Sequence, residues 1–258
     1  MSRLRARCPD CRTLTAVAIG PEYQCHTCGR EFAAGLVRVP RAWGDGGDTK
    51  AAAAHHELPY PEASVIEGDT LAEQNLLLAS ELPARPLVLG GCCCSHVGAI
   101  EALSAGEECL AVVWIDAHGD LNTPQTSPSG NAWGMPLRMV IDDGAVLPRN
   151  VALVGARSLD PPEVDFIVSA GVQTGDGAVD RALDGADAVY VALDCDGFDP
   201  GELAVFMPEP DGLRLEEVEA LLADLAARTR LAGLGFTGLV RDPANEPKLA
   251  RLAAAAGL

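Results

Sequence analysis

Aromatic residues make up only 4% of this 258-residue chain. Any core must therefore be packed mainly from Ala, Val and Leu. Long apolar runs are missing as well. None approaches the roughly 20 residues that a membrane-spanning helix requires, so a membrane protein of that kind is excluded. Positive charge is scarce, with 19 Lys and Arg against 37 Asp and Glu, a net charge of -18 and a pI of about 4.5. This balance argues against nucleic acid or an anionic membrane as a partner. The segment Met1 to Cys8 is basic but leads into cysteines instead of an apolar stretch. No signal peptide is expected there, and a cytoplasmic location follows. The nine cysteines are then expected to be metal ligands or reduced thiols rather than disulfides.

With 48% hydrophobic residues, the chain is long enough for one large α/β domain and a small appendage. The appendage is expected over residues 1–35. Cys8-Pro-Asp-Cys11 and Cys25-His-Thr-Cys28 are two CxxC knuckles separated by 13 residues. Four thiolates at this spacing suit a closed tetrahedral zinc site, so Cys8, Cys11, Cys25 and Cys28 predict one structural zinc. A ribbon this small has almost no apolar core, so the metal must supply most of its folding free energy.

Residues 36–258 alternate short apolar runs with helical periodicity. Strands are expected at 36–39, 64–67, 86–89, 111–115, 151–154, 189–193 and near 234–240. Helices are expected at 49–56, 71–80 and 215–228. That alternation with short loops indicates a mainly parallel sheet in an α/β fold. Two acidic signatures follow buried strands. Asp116-Ala-His118-Gly-Asp120 comes directly after 111–115, and Asp194-Cys-Asp196 directly after 189–193. Side chains alternate along a strand, so Asp116, His118 and Asp120 are expected to converge, as are Asp194 and Asp196. Open α/β sheets bind their ligands at the carboxyl ends of strands. These five groups therefore predict a metal site there.

Together these residues resemble the ureohydrolase family, the arginase and agmatinase group. The likeness is most specific over Trp114 to Pro124, continues through Ser129-Gly-Asn131 and Gly134-Met-Pro136, and returns at Leu193 to Pro200. It implies a three-layer α/β/α fold and a binuclear metal centre, usually manganese. It also implies that Asp116, His118, Asp120, Asp194 and Asp196 are five of six ligands, with Asp116 and Asp194 bridging. Asp116, His118 and Asp194 further resemble the one-zinc site of the related deacetylases. Asp120 and His118 are the residues expected to carry catalysis, with Asp120 orienting the attacking water. Asn122, Ser129, Asn131 and Asp160 match family residues at the pocket rim.

Three departures stand beside this likeness. The family's sixth ligand, a histidine, is here Cys93, within Gly90-Gly-Cys92-Cys93-Cys94-Ser-His96. A thiolate is softer and favours zinc, or nickel or iron, over manganese. His96 is an alternative ligand, and Cys92 and Cys94 can equally be buried packing groups. A proton-shuttle histidine is replaced by Trp133, which cannot do acid–base work and is expected to wall the pocket. The family's guanidinium-binding glutamate would fall near Val240, where no acid stands.

The expected activity is metal-dependent hydrolysis of a non-peptide C–N bond in an amidine, guanidine or amide, using metal-activated water. Arginine and agmatine are not the expected substrates. One or two divalent ions (Mn, Zn or another transition metal) would occupy the core site. A small-molecule substrate and a homo-oligomer are expected. The alternative is a catalytically silent, metal-binding arginase-like protein with a structural or regulatory role.

Overall fold

A computed structural model describes residues 5–258 apart from Pro9, Gly20, Pro21, Ala34 and Glu108. Met1–Leu4 of the basic N-terminal segment therefore lie outside the described residues. The first four strands, β1 (Arg5–Ala6), β2 (Ala16–Ile19), β3 (Glu22–Cys25) and β4 (Glu31–Ala33), form an antiparallel sheet in that order. Their core is small: Ala6, Cys8, Ala16, Tyr23 and Cys25, with Phe32 against it. Tyr23 and Phe32 are paired across β3 and β4, with ring centroids 5.9 Å apart. The little sheet is tied to the rest by the Arg7 N–H, which donates to Pro59 O at 2.7 Å.

The second sheet has seven parallel strands: β5 (Leu36–Val39), β6 (Glu62–Val65), β7 (Leu87–Gly90), β8 (Leu110–Ile115), β9 (Val151–Val154), β10 (Ala188–Asp194) and β11 (Leu231–Thr237). Their order is β6-β5-β7-β11-β10-β8-β9. Along β8, Ala111, Val113 and Ile115 enter one core, and Val112 and Trp114 enter the other. The first core is closed by α1 (Gly47–Ala53), α6 (Ala178–Leu183), α7 (Leu215–Arg228) and α8 (Asn245–Ala255). The opposite core is closed by α2 (Leu71–Glu81), α3 (Val97–Ser104), α4 (Pro136–Asp142) and α5 (Pro161–Ala170). The architecture is a three-layer α/β/α sandwich with an antiparallel appendage. No helix among the described residues is long and apolar enough to cross a membrane.

Three elements differ from their expected spans by more than one residue. The strand expected at 234–240 lies earlier, at Leu231–Thr237. Gly233 and Gly235 hide its start, since glycine weakens strand propensity. Gly235 is nevertheless demanded by packing, because a Cβ there would sit 2.6 Å from the Tyr190 hydroxyl. The strand expected at 64–67 pairs through Glu62 instead and ends at Val65. The first helix starts two residues earlier than expected, at Gly47, and ends at Ala53.

The loops behind the sheet's carboxyl edge are held by one side chain. Arg157 donates from Nε to Pro210 O, from Nη1 to Gly155 O and Gly197 O, and from Nη2 to Asp196 O and Glu209 O, all at 2.7–3.2 Å. A planar guanidinium can serve these acceptors together, and an ammonium cannot. Removing it leaves several carbonyls unpaired at about 1–3 kcal/mol each when buried. Arg157→Met should therefore cost about 3 kcal/mol, a fall of roughly 6–12 °C in Tm for a chain of this size. Calorimetry of the two proteins reads this directly, and an unchanged Tm would mean that the loops hold themselves.

Candidate metal centre

The four central strands β7, β11, β10 and β8 end side by side, and each delivers part of one cluster. After β8 the chain leaves the sheet at Asp116, which is 1% exposed. Its Oδ2 accepts from Trp114 Nε1 at 3.0 Å, and its Oδ1 accepts from the His118 N–H at 2.7 Å. Strand alternation does not continue through this segment. Asp120 is brought in by a turn in which it adopts a left-handed φ of 51°, a conformation aspartate tolerates better than most residues. Asp194 ends β10, and Asp196 follows in a 3₁₀ turn (Cys195–Gly197). Asp194 Oδ1 accepts from the Asp196 N–H at 3.1 Å, and Asp196 Oδ1 from the Ala117 N–H at 3.2 Å. Cys93 begins the 3₁₀ turn after β7, and its Sγ donates to Asp194 Oδ2 at 2.5 Å.

Potential donor atoms of Cys93, Asp116 and Asp120 lie within 4.8 Å of one another, as do those of Asp116, His118 and Asp196. Asp116 is common to both groups. Asp194 belongs to neither triad, but Cys93 and Thr237 both touch its Oδ2, the latter at 3.4 Å. The approach depends on Gly238, which has a φ of +71°. A Cβ there would fall 1.8 Å from Asp194 Oδ1.

Burial, and then repulsion from neighbouring carboxylates, holds Asp116 and Asp120 well above the usual carboxylate range. The same causes push Asp194 up to about 6. Burial opposes protonation of His118, but Asp116 and Asp196 outweigh it and push the imidazole up to about 12. Among the described residues, Asp120 Oδ2 is buried without any hydrogen-bond partner. Clustered buried acids with an orphaned oxygen call for positive charge. The donor set of carboxylate oxygen, imidazole nitrogen and thiol sulfur fits a divalent transition-metal ion.

The cysteines of the appendage form a second cluster. Cys8 Sγ is 3.5 Å from Cys28 Sγ, Cys11 Sγ is 3.4 Å from Cys25 Sγ, and all four sulfurs lie within 4.8 Å. None is bridged. The Thr15 hydroxyl, 3.4 Å from Cys25 Sγ, contributes most to holding that thiol down at about 5.

Comparison with known proteins agrees with this geometry. Residues 69–255 match the profile of the Arginase family. The chain belongs to that family. An arginase of Staphylococcus aureus (strain COL) is 33% identical over 190 residues, covering 61% of this chain and 63% of its own length. The match thus spans less than two thirds of that relative. An arginase of Brevibacillus brevis is 30% identical over 244 residues, covering 82% of this chain and 81% of its own. The crystal structure of Bacillus cereus arginase superposes with a TM-score of 0.72 at 26% identity, covering 86% of this chain and 96% of that one.

Within this family frame, several pocket residues sit differently from expectation. Asn131 is not free to meet a substrate. Its Oδ1 accepts from the Asp45 N–H at 2.9 Å, and the side chain is turned inward to pin the 44–47 loop. His96 is no substitute ligand. It is fully buried, 3.0 Å from the Tyr190 hydroxyl and 3.3 Å from Thr237 Oγ1, and burial pushes it down to about 3. It stands behind Thr237 as a neutral support. Cys92 and Cys94 are buried, and Cys92 also accepts from the Trp43 N–H at 3.5 Å.

Asn122, Ser129 and Asp160 do line a cavity of about 150 Å³, together with His118, Asp120 and Trp133. Asn122 Nδ2 donates to Asp160 Oδ2 at 2.8 Å. Asp160 also precedes α5, where its N–H donates to Glu163. A second, narrow cavity holds the metal-site carboxylates, with Trp133 on its wall. Val240 lines neither cavity, and its carbonyl accepts from His56 Nε2 at 3.0 Å. Glu163, buried beneath the 116–122 loop, accepts from the Leu121 N–H, and its one sequence signal was the capping-box spacing Asp160-Pro-Pro-Glu163. Trp114 also carried one, lying two residues before Asp116 on the same strand side.

Proposed function

We propose that this chain is a metal-dependent hydrolase of a non-peptide C–N bond in an amidine, guanidine or amide. The observation that carries this reading is the orphaned Oδ2 of Asp120, a buried residue grouped with Asp116 and Cys93 that also lines the cavity continuing to Asn122 and Asp160. Cys93, Asp116, His118, Asp120, Asp194 and Asp196 would hold one or two divalent ions. Such an ion lowers the pKa of water and offsets the negative charge that develops during attack on a trigonal carbon. Asp120 would orient the attacking water. Trp133 excludes bulk water from the narrow cavity. His118, between Asp116 and Asp196 and 3.8 Å from Glu209 Oε1, holds the second group of donors together. The Cys8, Cys11, Cys25 and Cys28 cluster would carry a structural zinc. Unbridged thiols suit a reducing cytoplasm.

Arginine and agmatine fit poorly. Trp133 cannot relay a proton, a role of the kind worth about 10²–10⁴-fold, and Val240 offers no charge partner to a guanidinium. The test is turnover by full-length protein of measured core metal content, loaded separately with manganese and zinc. Ammonia and urea release are followed from a panel of amides, amidines and guanidines. Hydrolysis within the panel, with negligible urea from arginine or agmatine, is the expected result. Robust urea release from either compound overturns the substrate reading. A fully metallated protein that turns over nothing leaves the silent, structural role.

A further inference from the structure

The chain has only two lysines, and one of them, Lys50, lies on α1 inside the metal-site cavity. It shares that cavity with Cys93, Asp116, His118, Asp120, Asp194 and Asp196, yet it is only 5% exposed. Its Nζ sits 3.8 Å from the Trp133 ring centroid and 4.5 Å from that of Phe206. Among the described residues, the Lys50 side chain makes no ion pair or hydrogen bond. An ammonium carries three donors and no acceptor. Two aromatic faces offset part of its desolvation, but they satisfy none of those donors.

The surroundings fix the lysine in place. The Asn131 side chain ties down Asp45, and Gly46 turns left-handed with a φ of +72°, where a Cβ would lie 2.2 Å from the Phe206 ring. Loop, helix and Phe206 are therefore packed as one unit around Lys50. We propose that Lys50 is a specificity-determining residue that selects an anionic substrate: a carboxylate-bearing amide, amidine or ureide whose carboxylate receives the unpaired ammonium donors between Trp133 and Phe206. With divalent ions offsetting its four aspartates, the pocket would keep an unpartnered cation on its wall. That cation would attract a carboxylate and repel a guanidinium. This proposal rests on the hydrolase reading for the word substrate, but the binding preference can be measured without turnover.

The experiment is isothermal titration calorimetry on full-length protein of measured metal content, with succinate as the anionic probe and guanidinium chloride as the cationic one. Wild type should bind succinate and show much weaker binding of guanidinium. Lys50→Met should weaken succinate by about tenfold or more, the scale of a lost charge-assisted hydrogen bond. Lys50→Arg should retain most of the affinity. Succinate affinity unchanged in Lys50→Met overturns the proposal. So does wild-type binding of guanidinium as tight as that of succinate, an outcome that needs no variant to fold. If succinate binds through Lys50 but nothing in the panel is hydrolysed, the hydrolase reading fails alone. If a cationic compound is hydrolysed and succinate does not bind, this proposal fails alone.

Discussion

Asp194→Asn should empty the core metal site, weakening divalent-ion affinity by more than about 100-fold. Removal of a group that merely supports a ligand already costs about 10–100-fold, and Asp194 sits closer to the centre than that. It is 6% exposed and touches Cys93, Thr237 and the Asp196 backbone. The asparagine is nearly isosteric, so the fold should survive. Its amide removes a negative charge from the cluster, and one of its two polar ends would present donors where Cys93 and Thr237 now donate. Elemental analysis after dialysis against manganese or zinc reads the outcome, on a Cys25→Ser background so that appendage zinc is not counted. Normal metal content in Asp194→Asn would show that the ligand assignment is wrong. Cys93→Ser, in the same assay, should shift the preference from zinc towards manganese, because a hydroxyl is harder than a thiolate. Full stoichiometry and unchanged metal identity would reduce Cys93 to a packing residue.

Cys25→Ser should release one zinc per chain and unfold the appendage while the α/β/α sandwich stays folded. The small sheet buries only Ala6, Cys8, Ala16, Tyr23 and Cys25, far too little apolar surface to offset the entropy of ordering its loops. Apparent binding free energies of about 10–16 kcal/mol for structural zinc are large enough to supply the difference. The sandwich has its own two cores, so it should stay folded without the metal cluster of the appendage. Limited proteolysis should then cleave within residues 1–35 and stop, with a cooperative thermal transition retained by the remainder. A zinc count equal to wild type would refute the assignment of the four thiols.

The apolar runs ending at Ile115 and Leu193 were legible because local periodicity and burial on both faces of a parallel sheet leave a continuous hydrophobic signature. The acids that follow them were legible for the same reason: a strand end is a local event, and so is a CxxC knuckle. What sequence order alone determined is therefore the α/β class, the cysteine-rich appendage, and the placing of Asp116, His118 and Asp120 after one strand and of Asp194 and Asp196 at the end of another. Everything that depends on which strands are neighbours was decided by the tertiary structure. The β7-β11-β10-β8 order sets Cys93 against Asp194 across 101 positions of chain. It also turns His96 towards Tyr190 and Thr237 rather than towards a metal. Asn131 matches a rim residue by motif, but its side chain bonds to Asp45, 86 positions away. Lys50 has no motif around it, and only the packing of α1 against Trp133 and Phe206 carries it into the cavity. The physical reason is common to all four cases. Periodicity and spacing report the backbone's local geometry, whereas the charge of a pocket is set by side chains that only long-range packing brings within a few ångströms.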